Sequence, residues 1–362
     1  MTLGLQGVDE LFEEMKRAPE VYRASPFWDQ LGALGVRQLE SGGLENFKRS
    51  VNMAYFNWGP LEILRHQFLS VLLHWCRHPH LSVFGARFPG RRSPTDRVAD
   101  DLPAAPNFRR RLPVLASFGP VSAFVYKTYV AMLLDYVREI DALGLLDRLD
   151  EPSFGNPFLV HYRGRATSQD LCNSVHEFYS ADAARAADRP GFAIAELGGG
   201  YGRLAYVSRR ALPRATYTLV DIPPALNVAQ EYLSRVSPGE RIFQFRPFRR
   251  YAEVREEFEQ ASLRFLAAHQ IELLPDKQFD LFVNTSSLHE MTWAQIENYL
   301  RQIDRLCRGR FYTKQWRKSQ AKVNGFVIHE HDYPIPPSWR TVYHRRHPIQ
   351  ALFFEALYDV GA

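Results

Sequence analysis

Residues 192–212 read FAIAELGGGYGRLAYVSRRAL, with glycine at 198, 199, 200 and 202. A short β-like run that ends in glycines and turns at once into a helical pattern is a strand, a loop and a helix start. Glycine lacks a Cβ, so its backbone turns tightly at positive φ and approaches a ligand closely. The helix that begins near Gly202 offers N–H groups with no partner inside the helix.

Three readings of this loop are open. Gly200-x-Gly202-x-x-Ala205 satisfies the dinucleotide fingerprint, with Asp221 about 20 residues on. A tight turn that binds nothing is the second. The third is S-adenosylmethionine (SAM), and two carboxylates favour it. Glu196 stands two residues before Gly198, where a carboxylate meets the cationic methionine end of SAM. Asp221 closes TYTLVD and is followed by Ile222–Pro223–Pro224, a place from which it accepts hydrogen bonds from both ribose hydroxyls. The expected cofactor contacts are therefore Glu196, Gly198, Gly199, Gly200, Gly202, Asp221 and Ile222. His269 and Gln270, after the third strand, would face the adenine, and Asn284 would end the fourth strand beside the cofactor.

From Pro190 onward β-like runs alternate with helical patterns, the signature of βαβ units and a mostly parallel sheet. The expected strands are 192–197, 216–221, 263–267, 279–284 and 310–314, with 339–343 and 352–358 as the last pair. Residues 241–245 compete for the third place. The amino-terminal part reads as helical instead. Leu11, Phe12, Met15 and Tyr22, then Phe47, Val51, Tyr55 and Trp58, recur at helical spacing. Leu61–Trp75 is apolar enough for a buried core helix, and Val121–Leu149 is a further helical stretch. Between them, 88–113 is rich in Arg, Pro and Asp and reads as a surface loop. The expected division is a helical domain over 1–160 and a cofactor domain over 161–362.

The net charge of +5 is spread over scattered arginines, with no continuous basic stripe and no Asn/Asp-Pro-Pro-Tyr/Phe motif, which argues against a nucleic-acid substrate. Cys76, Cys172 and Cys307 lie far apart, without metal-ligand or redox spacing. The early acidic residues and the absence of a long apolar run argue against a signal peptide or a membrane span. The expectation is a soluble, cytoplasmic protein that acts on a small molecule, with homo-oligomerisation left open.

Methyl transfer to a hydroxyl is an in-line displacement that needs alignment and, for a weakly acidic alcohol, a base. FDLFVNTSSLHEMTW places His289 and Glu290 just beyond the fourth strand, where ligands of open α/β sheets bind. Either residue fits the base, since a neutral imidazole is available near pH 7. Helix capping by His289 and solvation by Glu290 is the plainer alternative. His329, His331 and Asp332 in NGFVIHEHDYPIPPSW, and Asn173 and Glu177 beside His176 in SQDLCNSVHEFYSA, are candidates for contact with the acceptor. Neighbours on a strand point to opposite faces, so the His329–Asp332 run makes no dedicated metal site and none is expected.

With these residues in view, the chain resembles a bacterial sugar O-methyltransferase family of the class I SAM-dependent type. The matching segments are 45–58, 155–179, 196–206, 217–233, 279–291 and 331–339. The resemblance implies a Rossmann-like sheet of seven strands, the last antiparallel, behind an amino-terminal helical lid. It also implies SAM held by Glu196, Gly198, Gly200, Gly202 and Asp221, with Glu290 and Met291 lining the crevice where a sugar hydroxyl is methylated. That family commonly carries Gln where this chain carries His289, which shifts weight to Glu290. LHEMTW is also similar to the His-Asp-Trp segment of plant-type O-methyltransferases, whose histidine is the base. The rival functions are methylation of a non-sugar hydroxyl or of an amine on a peptide or polyketide, and SAM binding without catalysis.

Overall fold

The computed structural model describes residues 6–49, 63–88, 119–187, 189–319 and 325–360. They divide into two compact units. One comprises residues up to Asp29, Ser180–His347 and Leu352 onward, and the other Gln30–Tyr179 with Pro348–Ala351. Residues 6–29 fall with the sheet, and 161–179 fall with the helices.

The helical unit holds most of α2 (Pro26–Gly42), α3 (Leu69–Arg77), α4 (Pro120–Arg138), α5 (Gln169–Ser180) and a hairpin of β1 (Val160–Tyr162) and β2 (Arg165–Thr167). Its core is the run Tyr129–Leu134 with Val137 on α4, all buried. Ser168 caps α5 by accepting from the Leu171 N–H at 3.0 Å, and its hydroxyl donates to Glu151 at 2.6 Å. Glu151 in turn is the buried partner of Lys48. The apolar stretch 61–75 is not a buried core helix. Ile63 and Val71 are buried, but Leu64, Leu69 and Leu73 are exposed, so its described part is amphipathic. The helical spacing of Val51, Tyr55 and Trp58, and the loop beyond Phe88, lie outside the described residues.

The sheet unit begins with α1 (Gln6–Arg17), whose Leu11 and Met15 are buried one turn apart. The strands then run β3 (Ala193–Leu197), β4 (Thr216–Asp221), β5 (Ile242–Phe243), β6 (Leu263–Ala267), β7 (Phe279–Thr285), β8 (Cys307–Trp316), β9 (Arg340–Arg346) and β10 (Phe353–Asp359). The helices between them are α6 (Arg203–Ala211), α7 (Ala225–Val236), α8 (Arg255–Gln260) and α9 (Trp293–Leu306). Across the sheet the order is β5-β6-β4-β3-β7-β8-β10-β9. All pairs up to β8 are parallel, and β10 is antiparallel to both β8 and β9.

The seven expected strands are thus all present, with the last in sequence antiparallel. The count itself is corrected to eight. The two competitors for third place both form strands, because Ile242–Phe243 adds to the edge of β6. The central strands β3 and β7 are buried along their whole length, as strands with neighbours on both sides and helices over both faces must be. The chain leaves β3 toward β4 on one side and later returns to β7 on the other. That reversal opens a crevice at the carboxyl ends of β3 and β7.

Candidate functional site

The glycine loop fills one side of this crevice. Gly198 has φ +69° and an added Cβ would collide with Ser287, so both conformation and space demand glycine there. Gly200 has φ +58°, which turns its N–H onto Asp221 Oδ2 at 2.8 Å. Gly199 packs against the Glu196 carboxylate, where a Cβ would stand 2.8 Å from Oε2, and Gly202 opens α6. The loop is therefore clasped by Glu196 at the end of β3 and by Asp221 at the end of β4.

Each carboxylate is buried and held. Glu196 Oε2 accepts from the Tyr217 hydroxyl at 2.7 Å. Asp221 Oδ1 accepts from the Ile222 N–H at 2.7 Å while Oδ2 takes Gly200. Burial pushes the Asp221 pKa up to about 7, the nearby charge of Glu290 adds to the rise, and the two N–H donors oppose it. Each of its oxygens keeps a lone pair for a further donor. Such a carboxylate suits a diol that brings two O–H groups to a dry place. Two buried acceptors beside a glycine loop fit SAM.

Two of the expected cofactor contacts spend their side-chain amides inside the protein. Asn284 is fully buried and its amide is used up within the protein. Nδ2 donates to the Leu197 carbonyl at 2.9 Å and to Ser287 Oγ at 2.7 Å, while Oδ1 accepts from the Leu288 N–H and from Gln315 Nε2. Four bonds exhaust an asparagine side chain, so the Asn284 amide ties β7 to the glycine loop. Gln270 is likewise sealed. Its Oε1 accepts from the Ala267 N–H and its Nε2 donates to the Arg246 carbonyl, each at 2.9 Å, so it holds the turn after β6. His269 remains a contact candidate. Its Nε2 lies 3.6 Å from Glu14 Oε1 on α1, and Nδ1 has no hydrogen-bond partner among the described residues. Burial lowers its pKa.

On the other side of the crevice, β7 ends in Ser286–Ser287 and a short turn, Leu288–Glu290. Thr292 caps α9 in a capping box with Gln295, which fixes where the turn stops. The Ser25 hydroxyl donates to the Glu290 carbonyl at 3.4 Å. The His289 side chain is sealed from solvent and stacks on Trp316, with centroids 4.6 Å apart. Gln315 Oε1 accepts from both the His289 N–H and Nδ1–H, at 3.2 and 2.9 Å, because Gln315 Nε2 is committed to Asn284 Oδ1 and Thr313 Oγ1. The proton on Nδ1 makes Nε2 the basic nitrogen, and it faces Glu290 Oε1 at 3.6 Å. Glu290 keeps 16% of its side chain exposed and its Oε2 is without a hydrogen-bond partner among the described residues.

His329, His331 and Asp332 are exposed. Asp332 Oδ2 accepts from the His329 N–H at 2.7 Å, closing its own turn, and His331 stacks on His344 at 4.8 Å. Asn173 and Glu177 belong to α5 of the helical unit, where both are buried. Gln315, Trp316, Ser287 and Tyr217, which arrange the site, were not singled out in the sequence. Gln315 and Trp316 end strand β8 next to the end of β7, and that adjacency is their only signal.

No family model matches this sequence, and no curated protein does. Solved structures do match. A SAM-dependent methyltransferase from Aquifex aeolicus is 13% identical over 63% of this chain and 98% of its own, with a TM-score of 0.34. An S-adenosylmethionine-dependent methyltransferase from Mesorhizobium loti is 14% identical over 49% of this chain and 96% of its own, at 0.33. The pyocyanin biosynthetic protein PhzM is 14% identical over 52% of this chain and 56% of its own, at 0.32, so the match spans about half of its length. At these values the similarities decide nothing by themselves. The strand order, with its antiparallel last strand, gives the sheet unit the Rossmann-like fold of class I methyltransferases.

Proposed function

We propose that the chain is a SAM-dependent O-methyltransferase whose acceptor is a hydroxyl of a sugar or glycosylated metabolite. The observation that carries the reading is the clasp of one glycine loop between Glu196 and Asp221, beside the turn that bears Glu290. When bound there, SAM supplies a methyl group on a positively charged sulfur. Glu196 holds the amino-acid end, and the ionised Asp221 accepts from the ribose hydroxyls. The sugar specificity follows from the family resemblance, and the carboxylates at the crevice suit an acceptor rich in hydroxyls.

The proton of the reacting hydroxyl passes to Glu290, because His289 has no exposed surface with which to meet a substrate. His289 acts behind it. Its unprotonated Nε2 shares the proton once the carboxylate has taken it, while Gln315 fixes the ring from the far side. SAM held by Glu196 and Asp221 would supply the methyl group to the hydroxyl oxygen, its methyl–sulfur bond breaking with the electron pair left on sulfur.

The test is incubation with radiolabelled SAM and a panel of methyl glycosides, beside calorimetric titration of S-adenosylhomocysteine. Methyl transfer to a glycoside with cofactor binding supports the reading. Cofactor binding with transfer only to amines or phenols replaces the acceptor class.

A further inference from the structure

One carboxylate oxygen and one phenol lack a hydrogen-bond partner among the described residues. Glu290 Oε2 and Tyr333 Oη are both buried and lack a hydrogen bond among the described residues. Leaving such an atom unsatisfied is costly, so each calls for an explanation.

A continuous set of contacts brings the two groups to one neighbourhood. The Tyr333 ring packs on Phe354 at 5.7 Å, and Phe354 pairs in register with Gln315. Gln315 holds His289 at 2.9 Å, and His289 faces Glu290 at 3.6 Å. From the other direction, Phe326 of the same loop as Tyr333 touches Trp293, three residues beyond Glu290, at 6.2 Å. The charge of Glu290 also acts on the phenol, which burial already raises well above its usual range and keeps protonated. A phenol and a carboxylate are natural partners, yet here no hydrogen bond joins them. A third group that bonds both would satisfy each of them.

The geometry points to Tyr333 as an acceptor-contacting residue. Its hydroxyl donates to the oxygen on the carbon next to the reacting one, while Glu290 Oε2 takes the proton of the reacting hydroxyl. The preferred acceptor is then a vicinal diol. This inference rests on the methyltransferase reading above. Tyr333 keeps its own proton throughout.

The test titrates the protein, saturated with S-adenosylhomocysteine, with trans-cyclohexane-1,2-diol and with cyclohexanol, followed by saturation-transfer NMR. The wild type should favour the diol about tenfold, the worth of one hydrogen bond of about 1.4 kcal/mol. Tyr333→Phe should erase that preference, leave S-adenosylhomocysteine affinity within about twofold, and leave the Tm of the ligand-free protein equal or higher, since it removes an unsatisfied hydroxyl. No preference in the wild type, a preference that survives in Tyr333→Phe, or a fall in Tm overturns the inference. Failure of S-adenosylhomocysteine to bind is a separate result, and it removes the methyltransferase reading and this inference together.

Discussion

The two sides of the crevice are built on opposite terms. On the glycine-loop side each acid has a donor, because Tyr217 serves Glu196 while Gly200 and Ile222 serve Asp221. On the side of β7, Glu290 Oε2 and Tyr333 Oη have none among the described residues. A satisfied network is rigid and ready before its ligand arrives. An unsatisfied pair is completed by its ligand, and its selectivity resides in that completion. The molecule thus keeps one side fixed for a common cofactor and the other dependent on the acceptor.

The sharpest way to break this contrast is Glu290→Gln. Loss of the base should lower kcat by about 10²–10⁴-fold with S-adenosylhomocysteine affinity unchanged, measured by label transfer and calorimetry. A parallel loss of affinity would merge the two sides into one. Asp221→Ala should do the reverse. It should weaken S-adenosylhomocysteine by about 10–100-fold through the lost charge-assisted bonds to the ribose, as read by calorimetry.

A smaller effect separates the sides by pH. With the Asp221 pKa at about 7, and only the ionised form bonding the ribose, affinity should rise about tenfold between pH 6 and pH 8. For the ligand-free fold the sign is opposite. A folded pKa raised above the unfolded value favours the fold at low pH, and that contribution is lost as pH climbs through about 7. Asp221→Asn should therefore flatten the affinity profile and raise the ligand-free Tm at pH 8. Smallest is Gln315→Leu, which frees the His289 ring. It should lower kcat by about three- to tenfold and shift the pH–rate profile, with KM for SAM little changed. An unshifted profile would make Gln315 merely structural.

The same contrast explains what the sequence revealed. The glycine loop, its two acids and the strand limits at 216–221 and 263–267 are local patterns, since turning, alternation and length are written in consecutive residues. The membership of residues 6–29 in the sheet unit depends on distant pairings such as Gln295 with the Arg23 carbonyl. Asn284 and Gln270 are polar residues at the right places, and only their partners show that they are consumed internally. Gln315 lies 26 residues beyond the histidine it orients, with nothing in its surroundings in the chain to mark it. Side-chain satisfaction is a property of neighbours in space, and the acceptor side depends on it more than the cofactor side does.

The choice between a sulfonium nucleoside and a nicotinamide dinucleotide is decided by calorimetric titration of the wild-type protein with S-adenosylhomocysteine and, separately, with NADH. Saturable one-to-one binding of S-adenosylhomocysteine with no heat from NADH is the expected result. Binding of NADH at the loop, or silence from S-adenosylhomocysteine, would contradict it.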